Sequence, residues 1–226
     1  MRRLLTLMLL AACALSSAPR EARAQSLLFD YVGFDYELPD PLPGQFGEAG
    51  SGYVGLGTVP FLFAPLVANT MANEYTYVMS GLTSTGFLTV ANFRIITYSA
   101  GTISIYEDPK LGGTTADFGT NPPNAVAPGT FQDGTAICTG TLTSFTFVLD
   151  TSNGTGSFEA VFNVTGGTQL ANFPLNQRAG WTFSGSSGNA LNIPVGYDHQ
   201  LDGQTFLDAP VKVQRTSWGR LKAGYR

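Results

Sequence analysis

TAICTGTLTSFTFVLDTSNGTGSFEAVFNVT, residues 135–165, reads as two extended strands joined by a turn. Before the turn, Phe145, Phe147 and Leu149 fall on one face; after it, Phe158, Ala160, Phe162 and Val164 do the same. A repeat of two is the period of a strand, whose successive side chains point to opposite sides. Between the runs, Asp150 to Gly154 carries the Asn-Gly pair that favours tight hairpins, because both residues tolerate a left-handed backbone. Cys138 sits in the alternating series Ala136, Cys138, Gly140, Leu142 and reads as a small buried apolar side chain.

The same grammar continues on either side. Residues 27–38 alternate, with Val32, Phe34, Tyr36 and Leu38 on one face and Asp35 and Glu37 on the other. Residues 39–60 hold six Gly and four Pro and read as a long loop. Phe61 to Ala68, broken by Pro65, reads as an edge strand. Glu74 to Leu82 and Phe87 to Tyr98 are further strands, and Ser99-Ala100-Gly101 looks like a hairpin turn into Thr102 to Glu107. Residues 108–133 show no periodicity and form a long connection. Ala171 to Arg178 suits one short helical turn, and Trp181 to Ser184 and Val195 to Phe206 are the last strands. No later window of eleven residues carries a capped 3.6-residue period. The expectation is an all-β antiparallel domain over residues 25–213, a β-sandwich or jelly roll first and a closed β-barrel as the alternative.

The N-terminus reads as an address. Arg2 and Arg3 precede an apolar run from Leu4 to Leu15, and Ala22-Arg23-Ala24 offers small residues at the positions a signal peptidase reads. Residues 1–24 are therefore expected to be a signal peptide, and the protein secreted, periplasmic or at the cell surface. Leu10-Ala11-Ala12-Cys13 keeps a second processing route open, with Cys13 lipidated. Loss of residues 1–24 leaves 8 basic against 15 acidic residues, and four of the basic ones lie in the tail, at Arg215, Arg220, Lys222 and Arg226. The acidic body between repels nucleic acid and anionic lipid. The apolar run is too short for a permanent helical membrane span, and no later segment is long enough. With Cys13 removed, Cys138 is a single thiol and no internal disulfide can form.

Chemistry is sparse. Gly50-Ser-Gly52-Tyr-Val-Gly55 matches a dinucleotide-binding spacing but lacks the strand before and helix after that the site requires, so it reads as loop. His199 is the sole histidine, which excludes multi-histidine zinc centres. On a strand it shares a face with Tyr197, while the adjacent Asp198 points the other way and is badly placed to orient it. Glu74, Glu107 and Glu159 are carboxylates available for acid–base work, with nothing in their spacing to pair them. Asp150 to Gly154 has too few oxygen ligands for a calcium loop, so no cofactor is expected, structural calcium being the remote alternative. Asn153-Gly-Thr155 and Asn163-Val-Thr165 are glycosylation sequons. Trp181, Tyr75, Tyr77, Tyr106 and Tyr197 could stack on sugar rings if exposed. Trp181, Tyr197 and His199 are the candidate ligand-binding residues.

Several stretches, taken in order, carry a resemblance: Ser104-Ile-Tyr-Glu-Asp108, Ala116-Asp-Phe-Gly-Thr-Asn-Pro-Pro123, Thr130-Phe-Gln-Asp-Gly-Thr135, Arg178-Ala-Gly-Trp-Thr182 and Gly196-Tyr-Asp-His-Gln200. Over residues 73–203 the chain resembles the ectodomain of exported bacterial surface proteins of the PEP-CTERM-sorted type. The resemblance implies export and a surface role, and supplies no catalytic residues. The sequence departs from that type at its end, where residues 214–226 are a basic tail with no Pro-Glu-Pro and no apolar helix. The expected function is a non-enzymatic structural or adhesive protein, with polysaccharide or other surface components as partners. A carbohydrate-binding module is the first alternative, and a jelly-roll hydrolase with two facing carboxylates the second.

Overall fold

A computed structural model describes residues 23–39, 45–110, 129–188 and 193–210. The signal segment up to Ala22, Cys13, most of the 108–133 connection and the basic tail lie outside the described residues. Residues 26–207 form one compact unit.

The fold is an antiparallel sheet closed into an eight-stranded barrel, the closed-barrel alternative of the two architectures open to the sequence. Its strands are β1 (Arg23–Leu38), β2 (Gly52–Leu62), β3 (Asn73–Val90), β4 (Phe93–Tyr98), β5 (Gly101–Pro109), β6 (Thr135–Asp150), β7 (Thr155–Gly166), β8 (Trp181–Gly188) and β9 (His199–Pro210). Consecutive strands pair with one another except β4 and β5, and β9 returns to β1. β4 and β5 together occupy one position of the wall. Both run antiparallel to β3, in one register across the break: Ser84 faces Tyr98 and Ser80 faces Thr102. Both also pair with β6.

That collinearity corrects the hairpin expected at Ser99-Ala100-Gly101. The small residues bend a single long strand, and Ser99 N–H still bonds the Thr83 carbonyl on β3. The true hairpin is earlier, at Ala91-Asn92, where Ala91 takes a positive φ of 54° between Val90 and its partner Phe93. A second correction falls on residues 39–60. Gly52–Leu62 is not loop but β2, a full wall strand paired with β1 and β3. Gly57 is demanded by contact: a Cβ there would lie 2.2 Å from the Val32 carbonyl oxygen and 2.4 Å from Gly33 Cα. The Gly50–Gly55 motif thus opens a strand, and Phe61 to Ala68 is no edge strand, since the sheet closes.

The hairpin 135–165 stands as read, with Phe145, Phe147, Leu149, Phe158, Ala160, Phe162 and Val164 all buried on the inner face. Cys138 is 1% exposed, and burial raises its thiol pKa to about 12. Residues 171–178 form two short 3-10 turns, at Leu170–Asn172 and Leu175–Gln177. The lumen is filled by aromatic rings from around the wall. Tyr31 stacks on Phe183 with centroids 4.0 Å apart, and edges onto Tyr77 at 5.1 Å. A smaller cluster lies on the outer side of β1–β3, where Tyr36, Leu56 and Val78 pack with Phe131 and Tyr197.

Candidate functional site

The phase of β1 decides where the chemistry sits. Phe29 and Tyr31 point into the lumen, and every second residue after them does too: Gly33, Asp35 and Glu37. The two carboxylates are wholly enclosed. The acidic face of this strand is therefore its inner face, while Phe34 and Tyr36 lie outside, sheltered by Tyr197 at 5.1 and 5.8 Å between centroids.

At this level three further strands deliver hydrogen-bond partners, and a fourth brings a buried hydroxyl close. His199, the first residue of β9, points inward, and its Nδ1 lies 3.0 Å from Asp35 Oδ1. The His199 backbone N–H donates to the same oxygen at 2.8 Å. Tyr53 of β2 donates its hydroxyl to Asp35 Oδ2 at 3.1 Å. Tyr98 of β4 donates to Glu37 Oε1 at 2.8 Å. Asp198 N–H bonds the Asp35 carbonyl, and Asp198 Oδ2 accepts the Glu37 N–H at 3.0 Å. On β3, Tyr77 is fully buried, its hydroxyl lacks a partner, and it lies 2.7 Å from where a Gly33 Cβ would be.

The cluster is roofed by the segment after β1. Gly47 N–H donates to Glu37 Oε2 at 2.8 Å, and the Gly47 carbonyl accepts the Ser84 hydroxyl at 2.7 Å. Phe46 enters the mouth of the barrel and meets the His199 ring edge-on, 4.7 Å between centroids. Arg94 holds the Phe46 carbonyl through its guanidinium while lying over the Phe87 ring at 4.1 Å. Gly47 has φ +88°, and a Cβ there would strike Ile96 at 2.6 Å, so only glycine permits this turn.

Burial dominates the electrostatics. It raises the Glu37 pKa, and the charge of Asp35 adds to the rise, against the pull of the Gly47 N–H, the Tyr98 hydroxyl and His199. It pushes Asp198 up to about 7, again with help from Asp35. On His199 burial acts downward, but the charge and hydrogen bond of Asp35, with Asp198 and Glu37, outweigh it and the pKa rises. Tyr53 and Tyr77 are held far above the ordinary phenol value by burial. The arrangement can share protons and bind positive charge. Among the described residues no three His, Cys, Asp or Glu side chains form a metal-holding group.

The residues singled out in the sequence are placed differently. Trp181 is enclosed, its Nε1–H bonded to the Gln177 carbonyl and its ring set against Phe173, so it offers no open face for a sugar. Tyr197 and His199 do not share a face: Tyr197 packs outside the wall and His199 inside. The reading that Asp198 does not orient His199 agrees with the geometry, and Asp35 does so instead. Glu107 accepts hydrogen bonds from Tyr75 and Asn73 at the far end of the barrel. Glu159 stays exposed, in a shallow outer depression of about 400 Å³ with Thr146, Ser157 and Ser184. The Asp150 carboxylate is taken by Ser152 and Asn153, and the Ser152 bonds lower its pKa. The enclosure of Asp35 and Glu37 together, with Asp198 bonded to the Glu37 backbone N–H, was not legible in their spacing. The available signal was that Asp35 and Glu37 keep step with Phe29 and Tyr31.

No family model, curated protein or solved structure matches this chain.

Proposed function

We propose that this is an exported bacterial surface protein that acts without catalysis, as a structural or adhesive element presenting the outside and the loops of a rigid barrel. The observation that carries the reading is the filled lumen. Tyr31, Tyr53, Tyr77, Phe145, Phe147, Phe162 and Phe183 occupy it at 0–1% exposure, so the interior of the barrel is core. Barrels that carry small molecules leave that volume open. On β6 the outer face suits water: Thr141, Thr143 and Ser144 are exposed, while Leu142, Phe145 and Phe147 point inward. Membrane barrels alternate in the opposite sense. Among the described residues no helix is long and apolar enough to cross a membrane. The signal-like N-terminus and the resemblance to PEP-CTERM-sorted ectodomains support export, with lipidation at Cys13 as the other route to the surface. Polysaccharide is the partner class an adhesive role would engage.

The test is protease shaving of intact cells that express the full chain, paired with pull-down of the purified protein on cell-surface polysaccharide. Loss of the protein on shaving, with retention on polysaccharide, is the expected result. A chain recovered only from the cytosol would overturn it. A second reading, a hydrolase, draws on one specific observation, the enclosed Asp35–His199 pair with the buried Glu37 on the same strand face. Turnover of chromogenic glycosides or esters that Asp35→Asn and Glu37→Gln abolish would put it in place of the first.

A further inference from the structure

We propose that the outer wall from β3 to β9 binds a chain of neutral sugar rings laid across the strands, with C–H faces toward β4 and β6 and hydroxyls toward β7 and β8. The inference rests on the polysaccharide partnership proposed above and gives it a place and a chemistry. The strand registers bring six outward positions into one cross-strand row: Leu88, Ile95, Val148, Ser157, Ser186 and Asp202. The first three are apolar and the last three polar. Leu88 is 63% exposed, and Phe93, the outward position beside Ile95 on β4, is 47% exposed. The adjacent outward row is polar from β6 onward: Thr146, Glu159, Ser184 and Gln204. The depression of about 400 Å³ lies where the two rows cross β6 to β8. Val148 and Ser157 both line it, so the change from apolar to polar falls inside the depression.

An exposed apolar patch rimmed by polar groups marks a ligand groove, and this one has the two-sided chemistry of a pyranose, an apolar C–H face edged by hydroxyls. Ser and Thr hydroxyls both donate and accept, and a carboxylate accepts, which suits a ligand whose every polar group is an O–H. Elsewhere on the wall outward hydroxyls are taken: Thr85 and Thr97 bond each other at 2.7 Å, and Thr143 donates to the Val161 carbonyl. The side chains of Thr146, Ser157, Glu159 and Ser184 hold no hydrogen bond among the described residues, and they converge on the depression. Charge selects within the class. β6, β7, β8 and β9 carry no Lys or Arg, so an anionic glycan would meet the exposed Glu159 and Asp202 with nothing to offset them. Those two carboxylates stand two strands apart, about 10 Å, and do not converge on a single cation. From β3 to β9 the rows run about 24 Å along the wall, at about 4.8 Å per strand, which calls for a chain of rings.

Cellotetraose and maltotetraose are the neutral probes, with tetragalacturonate and a glucosamine tetramer as anionic and cationic counterparts. Each is titrated into the full chain while the amides of Val148, Ser157, Glu159 and Ser184 are followed by NMR. Saturable shifts at these positions are expected with at least one neutral probe, and weaker binding of both charged ones. Glu159→Ala, an exposed substitution, should weaken that binding about tenfold, the scale of a hydrogen bond to a charged group, and leave the melting temperature unchanged. Unaltered affinity in this variant would overturn the proposal. So would tighter binding of either charged tetramer, or no shift on β6 to β8 with either neutral probe, results that depend on no variant. If the full chain is retained on cell-surface polysaccharide while this wall stays silent, glycan binding stands and its placement here falls; if it is not retained either, both fall.

Discussion

Asp35 carries more hydrogen bonds than any other side chain of the cluster. One carboxylate receives the His199 ring, the His199 backbone N–H and the Tyr53 hydroxyl. Removing it leaves three buried polar groups without their partner, and breaking a buried ion pair from one side costs about 3–5 kcal/mol. Asp35→Ala is therefore expected to lower unfolding free energy by about 3 kcal/mol or more in urea titration. A loss within the range of an ordinary surface substitution would mean that the His199 contact contributes nothing. Asp35→Asn keeps the shape and an acceptor, and should cost less. None of this network was legible residue by residue, because its members are separated by up to 164 positions and meet only when β9 closes against β1. The single histidine could be noticed in the sequence; its partner could not.

At the scale of elements, legibility followed the strength of alternation. The β6–β7 hairpin was readable because large apolar side chains mark one face and threonine or serine the other, with an Asn-Gly turn between. β2 was lost because glycine supplies no pattern at all. Gly52, Gly55 and Gly57 look like loop by composition, yet they belong to a wall strand, and Gly57 lets β1 and β2 approach closely at Val32 and Gly33. The consequence is testable: Gly57→Ala would force a Cβ against the Val32 carbonyl and Gly33, backbone that has no side-chain freedom with which to yield. Overpacking of this kind costs about 1–3 kcal/mol, and a melting temperature unchanged from wild type would contradict the registered β1–β2 contact. β1 misled in a different way. Phe34 and Tyr36 are apolar enough to suggest an inner face, but they are outer residues covered by Tyr197, and the polar residues between them face the lumen. Alternation reports that two faces differ, and it names the inner one only when a single face is sheltered. At Ser99-Ala100-Gly101, turn-like composition marked a bend within a wall strand, a distinction that depends on strand pairing and is invisible locally.

Taken whole, the barrel closes its hydrogen-bond ladder, fills itself with rings and gathers acidic groups at one end, and this sets how it answers pH. Glu37 and Asp198 have folded-state pKa values raised by burial, Asp198 to about 7, and His199 is raised by its carboxylate neighbours. All three shifts have one meaning: the folded chain holds protons that the unfolded chain gives up. Stability then falls as pH rises through the folded-state values, and recovers as pH drops toward the unfolded ones. For His199 the contribution is complete below its ordinary value of about 6.5 and fades above its raised one. For the two carboxylates, ionisation in the fold is the unfavourable event, so acidification toward pH 5 relieves it. The melting temperature should accordingly be higher at pH 5.5 than at pH 8, the reverse of a protein held by ionised carboxylate pairs. Glu37→Gln, which cannot ionise, should flatten the slope by removing one of the three contributions. A melting temperature that climbs steadily from pH 5 to pH 8 would show that these groups sit in water, and with that the enclosed acidic cluster beneath Phe46 would be refuted.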